Sequence, residues 1–343
     1  MLNLKKFTTS VLLIISFICS KNSYSHEATG DELDYKVDKV NLDTKKQLVK
    51  TKSIFDGENH FYGYAAVDSK YETNPGHDEK SEDNRNLSDS NVMARAQLLY
   101  SIDLSENSSW TFSSNMLYRE YDKKSELDDD FLKFETGPSF YFPSIKLVLS
   151  VRPIYYFYEK DKEEYYSSKY PGGALKFSYS QIKDLNIFGS YEYEPRDYED
   201  KSTDESDANI QKALLRFRYS IGKNIFNFFP TYRRYNTEID SSSKTLYGFG
   251  LGYVRFLPAK FYMGLYYEMI NSKYDNIQPG DNIRRNDVEN YYTALIGYET
   301  KNNWIFELGY TKEKICSNLD YIATTYNNMF NFSIIYRFHF HNE

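Results

Sequence analysis

From His60 onward the chain alternates apolar and polar side chains in segments of ten to fifteen residues. Alternation at period two is the mark of a strand with one apolar and one polar face. Fourteen segments follow one another, at 60–73, 90–103, 109–122, 130–142, 146–159, 172–182, 185–198, 209–221, 225–237, 244–257, 260–274, 288–299, 303–314 and 326–340. In the eighth, Ala213, Leu215, Phe217, Tyr219 and Ile221 share one face, opposite Lys212, Leu214, Arg216, Arg218 and Ser220. In the thirteenth, Trp304, Phe306, Leu308 and Tyr310 oppose Ile305, Glu307, Gly309 and Thr311.

The connections alternate as regularly as the side chains. Seven long ones, near 74–89, 123–129, 160–171, 199–208, 238–243, 275–287 and 315–325, are separated by six short ones. Short turns at one end and long loops at the other are the plan of a transmembrane barrel. Segment length agrees, because a tilted strand needs about 9–11 residues to cross a bilayer. The expected fold is all-β: a transmembrane antiparallel up-and-down barrel of about fourteen strands over residues 60–343, with both termini in the periplasm. A large soluble barrel or sandwich with a tyrosine-rich core is the alternative.

Composition sharpens this picture. The chain has 35 Tyr and 24 Phe, yet 27% of its residues are charged and its mean hydropathy is −0.67. A helical membrane protein needs runs of about 20 apolar residues, so these values exclude that class. A barrel accommodates them, since only every second strand residue meets lipid. Tyrosines crowd strand ends, as in Tyr155-Tyr156-Phe157-Tyr158 and Tyr291-Tyr292, where a ring meets lipid and a hydroxyl meets water.

Before the barrel, Lys5 and Lys6 precede the apolar stretch Val11 to Cys19 and the small-residue pattern Ser23-Tyr24-Ser25. This reads as a signal peptide, residues 1–25, cut before His26; lipidation at Cys19 is the alternative. Residues 26–59 then form a polar periplasmic segment with one short amphipathic helix near 43–52. Loss of Lys5, Lys6 and Lys21 takes the net charge from −7 to −7 − 3 = −10. Such acidity argues against nucleic acid as a partner. One cysteine, Cys316, remains, so no intramolecular disulfide forms.

Turning the apolar face of each strand to lipid sends the other face inward. Segments two to eight then carry a basic wall, Arg95, Arg119, Arg152, Lys212, Arg216 and Arg218, joined by Lys133 and Lys176, with Glu135 and Glu192 among them. Segments eleven to thirteen carry an acidic wall, Glu268, Glu299 and Glu307, joined by Glu313, expected to face the basic wall across the lumen. Such walls suit a water-filled path for small hydrophilic solutes, anions among them, because arginine grips carboxylate and phosphate with a planar fork. Pairing of these charges across strands, as in polar barrel interiors generally, is the alternative. Acidic loops such as 77–83 read as a solvated hydrophilic surface, with divalent-cation binding near lipopolysaccharide as the alternative. No catalytic arrangement, zinc cluster or phosphate loop stands out, so neither enzymatic activity, nor a metal, nor a cofactor is expected.

The final segment ends on alternating aromatics, Tyr336, Phe338 and Phe340. This pattern resembles the signal read by the outer-membrane assembly machinery. The opening strand, Asp68-Ser69-Lys70-Tyr71-Glu72-Thr73-Asn74-Pro75, and the ending with Tyr326-Asn327-Asn328 and Tyr336-Arg337-Phe338 resemble porin-like outer-membrane barrels. Loosely, they resemble the fourteen-stranded C-terminal barrel of surface lipoprotein assembly modifiers. The resemblance implies a Gram-negative outer membrane. It opens two roles besides diffusion: an accessory barrel for export of surface lipoprotein or polysaccharide, and a structural or adhesion barrel with a plugged lumen.

Overall fold

The computed structural model describes residues 60–75, 88–124, 127–160, 164–167, 171–198, 208–237, 243–277, 282–319 and 324–341. The expected signal peptide, the 26–59 segment and the loops at 77–83 and 200–207 lie outside them.

The strands are β1 (His60–Glu72), β2 (Asp89–Ser105), β3 (Ser108–Tyr121), β4 (Asp129–Phe142), β5 (Leu147–Lys160), β6 (Glu164–Ser167), β7 (Gly172–Tyr179), β8 (Leu185–Tyr198), β9 (Ala208–Ile221), β10 (Asn224–Thr237), β11 (Lys244–Phe256), β12 (Phe261–Tyr274), β13 (Asn286–Glu299), β14 (Trp304–Ser317) and β15 (Thr325–His341). Every pairing between them is antiparallel, and β1 pairs with β15 from His60↔His341 to Glu72↔Met329, which closes the barrel. The chain is therefore a closed transmembrane barrel of fourteen staves.

Fifteen strands make fourteen staves because β6 and β7 share one place in the wall. Both pair with β5 on one side and β8 on the other. The expected loop at 160–171 thus contains a strand of its own. Proline at 171 explains the break, since it has no N–H to give to the ladder. Beyond it, β6 continues the stave along the outer parts of β5 and β8.

Connections sort by length between the two ends. The short turns bend through left-handed residues: Lys146, Asp184, Gly222, Ala259, Lys260 and Asn303 all have φ between 47° and 64°. That conformation reverses a strand within a few residues and costs glycine least. The barrel thus has a turn end, where His60 and His341 also lie, and a loop end.

Outward side chains form an apolar belt running from Val67 on β1 through Phe134, Val151, Leu175, Phe228, Leu251, Leu265 and Leu308 to Phe332 on β15. An apolar belt on a closed sheet is the surface that a bilayer covers. Phe338 lies outward on this belt, stacked on Phe61 at 5.7 Å and over Gly63, where a Cβ would meet its ring at 2.4 Å. Tyr336 packs on Trp304 at 4.8 Å. The side chain of Phe340 lies outside the described set.

Inside, apolar residues gather in three groups. Met93, Leu117, Phe131, Ile154, Tyr156 and Ala174 form one, nearer the loop end. Ala208, Ile210 and Tyr235 form a second on the loop side of β9 and β10. The third is a collar at the turn end, built from Tyr64, Ala66, Ile225, Val254, Tyr262, Tyr266, Ile305 and Ile335, with Phe256 and Leu295 packed against it. Glycines let inward rings on β10 and β12 lie flat on the wall. Phe229 covers Gly250, and Tyr266 covers Gly252 and Gly264.

Candidate functional site

Alternation along each stave decides which side chains reach the interior. Burial follows that alternation: Arg95 and Arg119 are buried while Val92 and Phe112 on the same strands are exposed. The inner face receives every residue of both expected walls: Arg95, Arg119, Lys133, Arg152, Lys176, Lys212, Arg216 and Arg218, and Glu268, Glu299, Glu307 and Glu313.

On β1 to β8 the cations do not form a uniform wall, because carboxylates are interleaved with them. Arg95 donates from Nε and Nη2 to both oxygens of Asp68, each at 2.7 Å. Arg119 grips Asp129 the same way at 2.7 and 2.8 Å. Lys70 pairs with Glu72 at 2.8 Å. A larger group centres on Glu135, which takes Lys176 at 2.6 Å, Lys133 at 3.0 Å and Arg152 at 3.6 Å. Lys133 also reaches Glu192 at 2.9 Å. Next to it, Glu194 binds Arg196 and Lys212, each at 2.8 Å. Forked, two-point contacts of arginine with carboxylate are the strong form of this interaction.

Sequence reasoning missed Asp68, Asp129, Glu194 and Arg196. A signal for two of them was present. Glu194 shares the parity of Glu192 on β8, and Asp68 that of Ala66 on β1. Asp129 fell one residue outside the expected fourth segment. These acids neutralise what reads as a basic wall when cations alone are counted.

Farther round the wall the signs separate. β9, β10 and β11 contain no Asp or Glu and turn Lys212, Arg216, Arg218, Arg233 and Lys244 inward. β12, β13 and β14 turn Glu268, Asp287, Glu289, Glu299, Glu307 and Glu313 inward, and among the described residues no cation of these three strands shares that face. Since β11 pairs with β12, the two blocks stand side by side rather than opposite one another. Opposite them lie the mixed, paired strands.

Aromatic side chains lie against both blocks. Arg216 lies 5.8 Å from the Phe229 centroid, and Lys244 sits 5.4 Å from both Tyr235 and Tyr274. In the acidic block Tyr262 donates to Glu307, and Tyr291 donates to Glu289 at 2.8 Å. A ring face attracts a cation, and a phenol donates to an anion without neutralising it.

No family model and no curated protein matches this sequence. Solved structures of similar shape include an anion-selective porin from Comamonas acidovorans, 8% identical over 82% of this chain and 99% of that one, TM-score 0.45. Another is the outer-membrane channel DcaP of Acinetobacter baumannii, 9% identical over 82% and 97%, TM-score 0.47. A third is a FadL homologue of Pseudomonas aeruginosa, 8% identical over 83% and 92%, TM-score 0.47. At such low identity and overlap, the functional reading rests on the side chains alone.

At the loop end the β3–β4 connection is held by two carboxylates. Asp89 accepts the backbone N–H groups of Ser90, Lys123 and Lys124 at 2.7 to 3.2 Å. Asp128 accepts that of Tyr121. Burial pushes the Asp128 carboxyl up to about 7, against the Tyr121 N–H bond, which lowers it, and with Glu120 and Asp129 adding repulsion. Among the described residues, no group of three or more His, Cys, Asp or Glu side chains is placed to hold a metal ion. Cys316, on β14, is a free thiol.

Proposed function

We propose that this chain is an outer-membrane channel of a Gram-negative cell, conducting small hydrophilic solutes passively, with both termini in the periplasm. One observation carries the reading: inside a barrel with an apolar outer belt, strands β9 to β11 present a block of cations and strands β12 to β14 a block of carboxylates, side by side on the inner face. A barrel that only needed a stable interior has no reason to sort its charges by sign round the wall. Charge lining a lumen keeps it hydrated, and blocks sorted by sign give an entering ion or dipole a partner. Arg216 and Arg218, with Arg152 on the paired side, line the cationic part of the path, and Glu268, Glu299 and Glu307 the anionic part. Anions, gripped by the guanidinium forks, belong among the solutes. Lipid and lipopolysaccharide surround the belt, and Tyr336, Phe338 and Phe340 mark the strand that the assembly machinery reads.

Liposome swelling tests this directly. Vesicles bearing the purified chain are expected to swell in small sugars and amino acids at rates that fall with solute size. Rates equal to those of protein-free vesicles contradict the reading.

A plugged structural barrel is the second reading, favoured by the turn-end collar and by Lys133 bridging to Glu192. An export accessory of the lipoprotein assembly modifier kind is supported by sequence resemblance alone.

A further inference from the structure

The outer surface of the barrel is not evenly filled. Between β9 and β14 its outward side chains enclose a groove of about 780 Å³, with Phe228, Leu251, Leu265, Tyr267, Tyr292 and Tyr310 in its walls. A small residue makes the space. Ala294 on β13 lies outward between Leu265 of β12 and Tyr310 of β14 in the register, so its methyl group is a low floor among large side chains. The groove is open to its surroundings: Leu251 and Leu265 are each 48% exposed and Tyr292 is 51% exposed. A concave apolar site of this volume is the size that holds one ligand.

The loop-end lip of the groove is polar and cationic. Tyr267 donates its phenol proton to Asn290 at 2.9 Å, and Tyr310 donates to Asn328 at 2.8 Å. Both asparagines lie on the loop side of the rings. Lys312, two residues beyond Tyr310 on the same outward face, pairs in the register with Tyr292 on one side and Asn328 on the other. Lys314 follows it, and the two ammonium groups lie 5.9 and 5.8 Å from the Tyr326 ring. Among the described residues neither lysine has an ion-pair partner, and the outward faces of β11 to β15 carry no Asp or Glu. Outward acids at the loop end stand elsewhere, Glu120 on β3 and Asp130 on β4. A lysine at the edge of an apolar belt lays its stem on the rings and holds its charge at the water boundary. The groove and its lip thus fit a body with an apolar tail and an anionic head. A second copy of the barrel presenting its own groove would bring these lysines against their equals, and like charges repel.

We infer that the groove seats one lipid with a phosphorylated head group, its acyl chain along Leu251, Leu265 and Ala294 and its phosphate on Lys312 and Lys314. The inference rests on the outer-membrane placement proposed above, which puts the loop end and this lip in the outer leaflet. The occupant is the phosphorylated glycolipid of that leaflet, lipopolysaccharide, held through its acylated base.

Native mass spectrometry of the full chain in detergent tests it, and depends neither on conductance nor on which membrane holds the barrel. The probe is diphosphoryl lipid A, beside the same lipid without its phosphates and beside phosphatidylglycerol. One molecule of diphosphoryl lipid A is expected to bind, about tenfold more tightly than either comparison lipid, the effect of one charge-assisted contact. Changing Lys312 and Lys314 to Gln is expected to remove that preference. Ala294→Phe, which fills the floor, is expected to weaken binding about tenfold. Circular dichroism is expected to show the parent's strand signal in both variants, since all three positions face outward. Glu120→Gln with Asp130→Asn is expected to leave the affinity unchanged. Equal binding of the three lipids, or an affinity indifferent to both the lysine and the alanine changes, overturns the proposal. A dimer of the parent that Ala294→Phe converts to monomer also overturns it, because the groove would then belong to a second copy.

Discussion

Lys133 on β4 reaches past β5 and β7 to place its Nζ 2.9 Å from Glu192 on β8, while also lying 3.0 Å from Glu135 on its own strand. One ammonium thus joins two carboxylates across two intervening staves, with its side chain almost fully buried. Removing it leaves both acids with less compensation in a desolvated place, and an uncompensated buried charge costs about 3–5 kcal/mol.

The first expectation follows from that contact. Lys133→Met lowers the unfolding free energy of the barrel by about 3 kcal/mol. Lys133→Met combined with Glu192→Met recovers part of the loss, because Lys176 and Arg152 still serve Glu135. Urea unfolding in lipid vesicles measures both variants. A double variant no better than the single one would show that the Lys133–Glu192 contact contributes nothing of its own.

Selectivity reports the sorted blocks. Changing Arg216 and Arg218 to Glu moves the reversal potential in a salt gradient towards cation preference, and changing Glu268 and Glu307 to Gln moves it towards anions. The paired residues serve as the control. Arg95→Gln with Asp68→Asn removes one charge of each sign and leaves selectivity where it was.

Much of this was legible in the sequence. Period-two alternation located thirteen of the fourteen staves within a few residues, because a stave must satisfy lipid on one side and water on the other along its whole length. The remaining stave was read only in its β7 part; its outer part, β6, was hidden because Pro171 interrupts the pattern and four residues are too few to show a period. The inward parity of Arg95, Arg216 or Glu307 came from the same alternation. Partnership did not, since it depends on which residues shear brings side by side. Lys133 and Glu192 are 59 positions apart, and Asp68 meets Arg95 through the register of β1 on β2.

The glycines of β11 make a packing test. A Cβ on Gly250 would lie 2.0 Å from the Phe229 ring. Gly250→Val is therefore expected to cost about 1–3 kcal/mol by forcing that ring off the wall. Adding Phe229→Ala to it returns part of the loss. If Gly250→Val is as stable as the parent, the ring does not rest on the glycine.

Asp128 gives a pH dependence with a definite sign. Burial pushes its carboxyl up to about 7 in the folded barrel, above the ordinary aspartate range, so the folded state holds a proton that the unfolded state has already lost. Between about pH 4 and 7 the folded state binds more protons, and stability falls as pH rises through that window. Asp128→Asn keeps an oxygen for the Tyr121 N–H and is expected to flatten this slope. Amide exchange at Tyr121, followed from pH 5 to pH 8, reads the effect locally, and an unchanged slope in the variant would assign the titration elsewhere.

Single-channel recording in planar bilayers tests the proposed function most directly. The purified full chain is expected to give discrete conductance steps. Inserted, folded protein that shows no steps would contradict the channel.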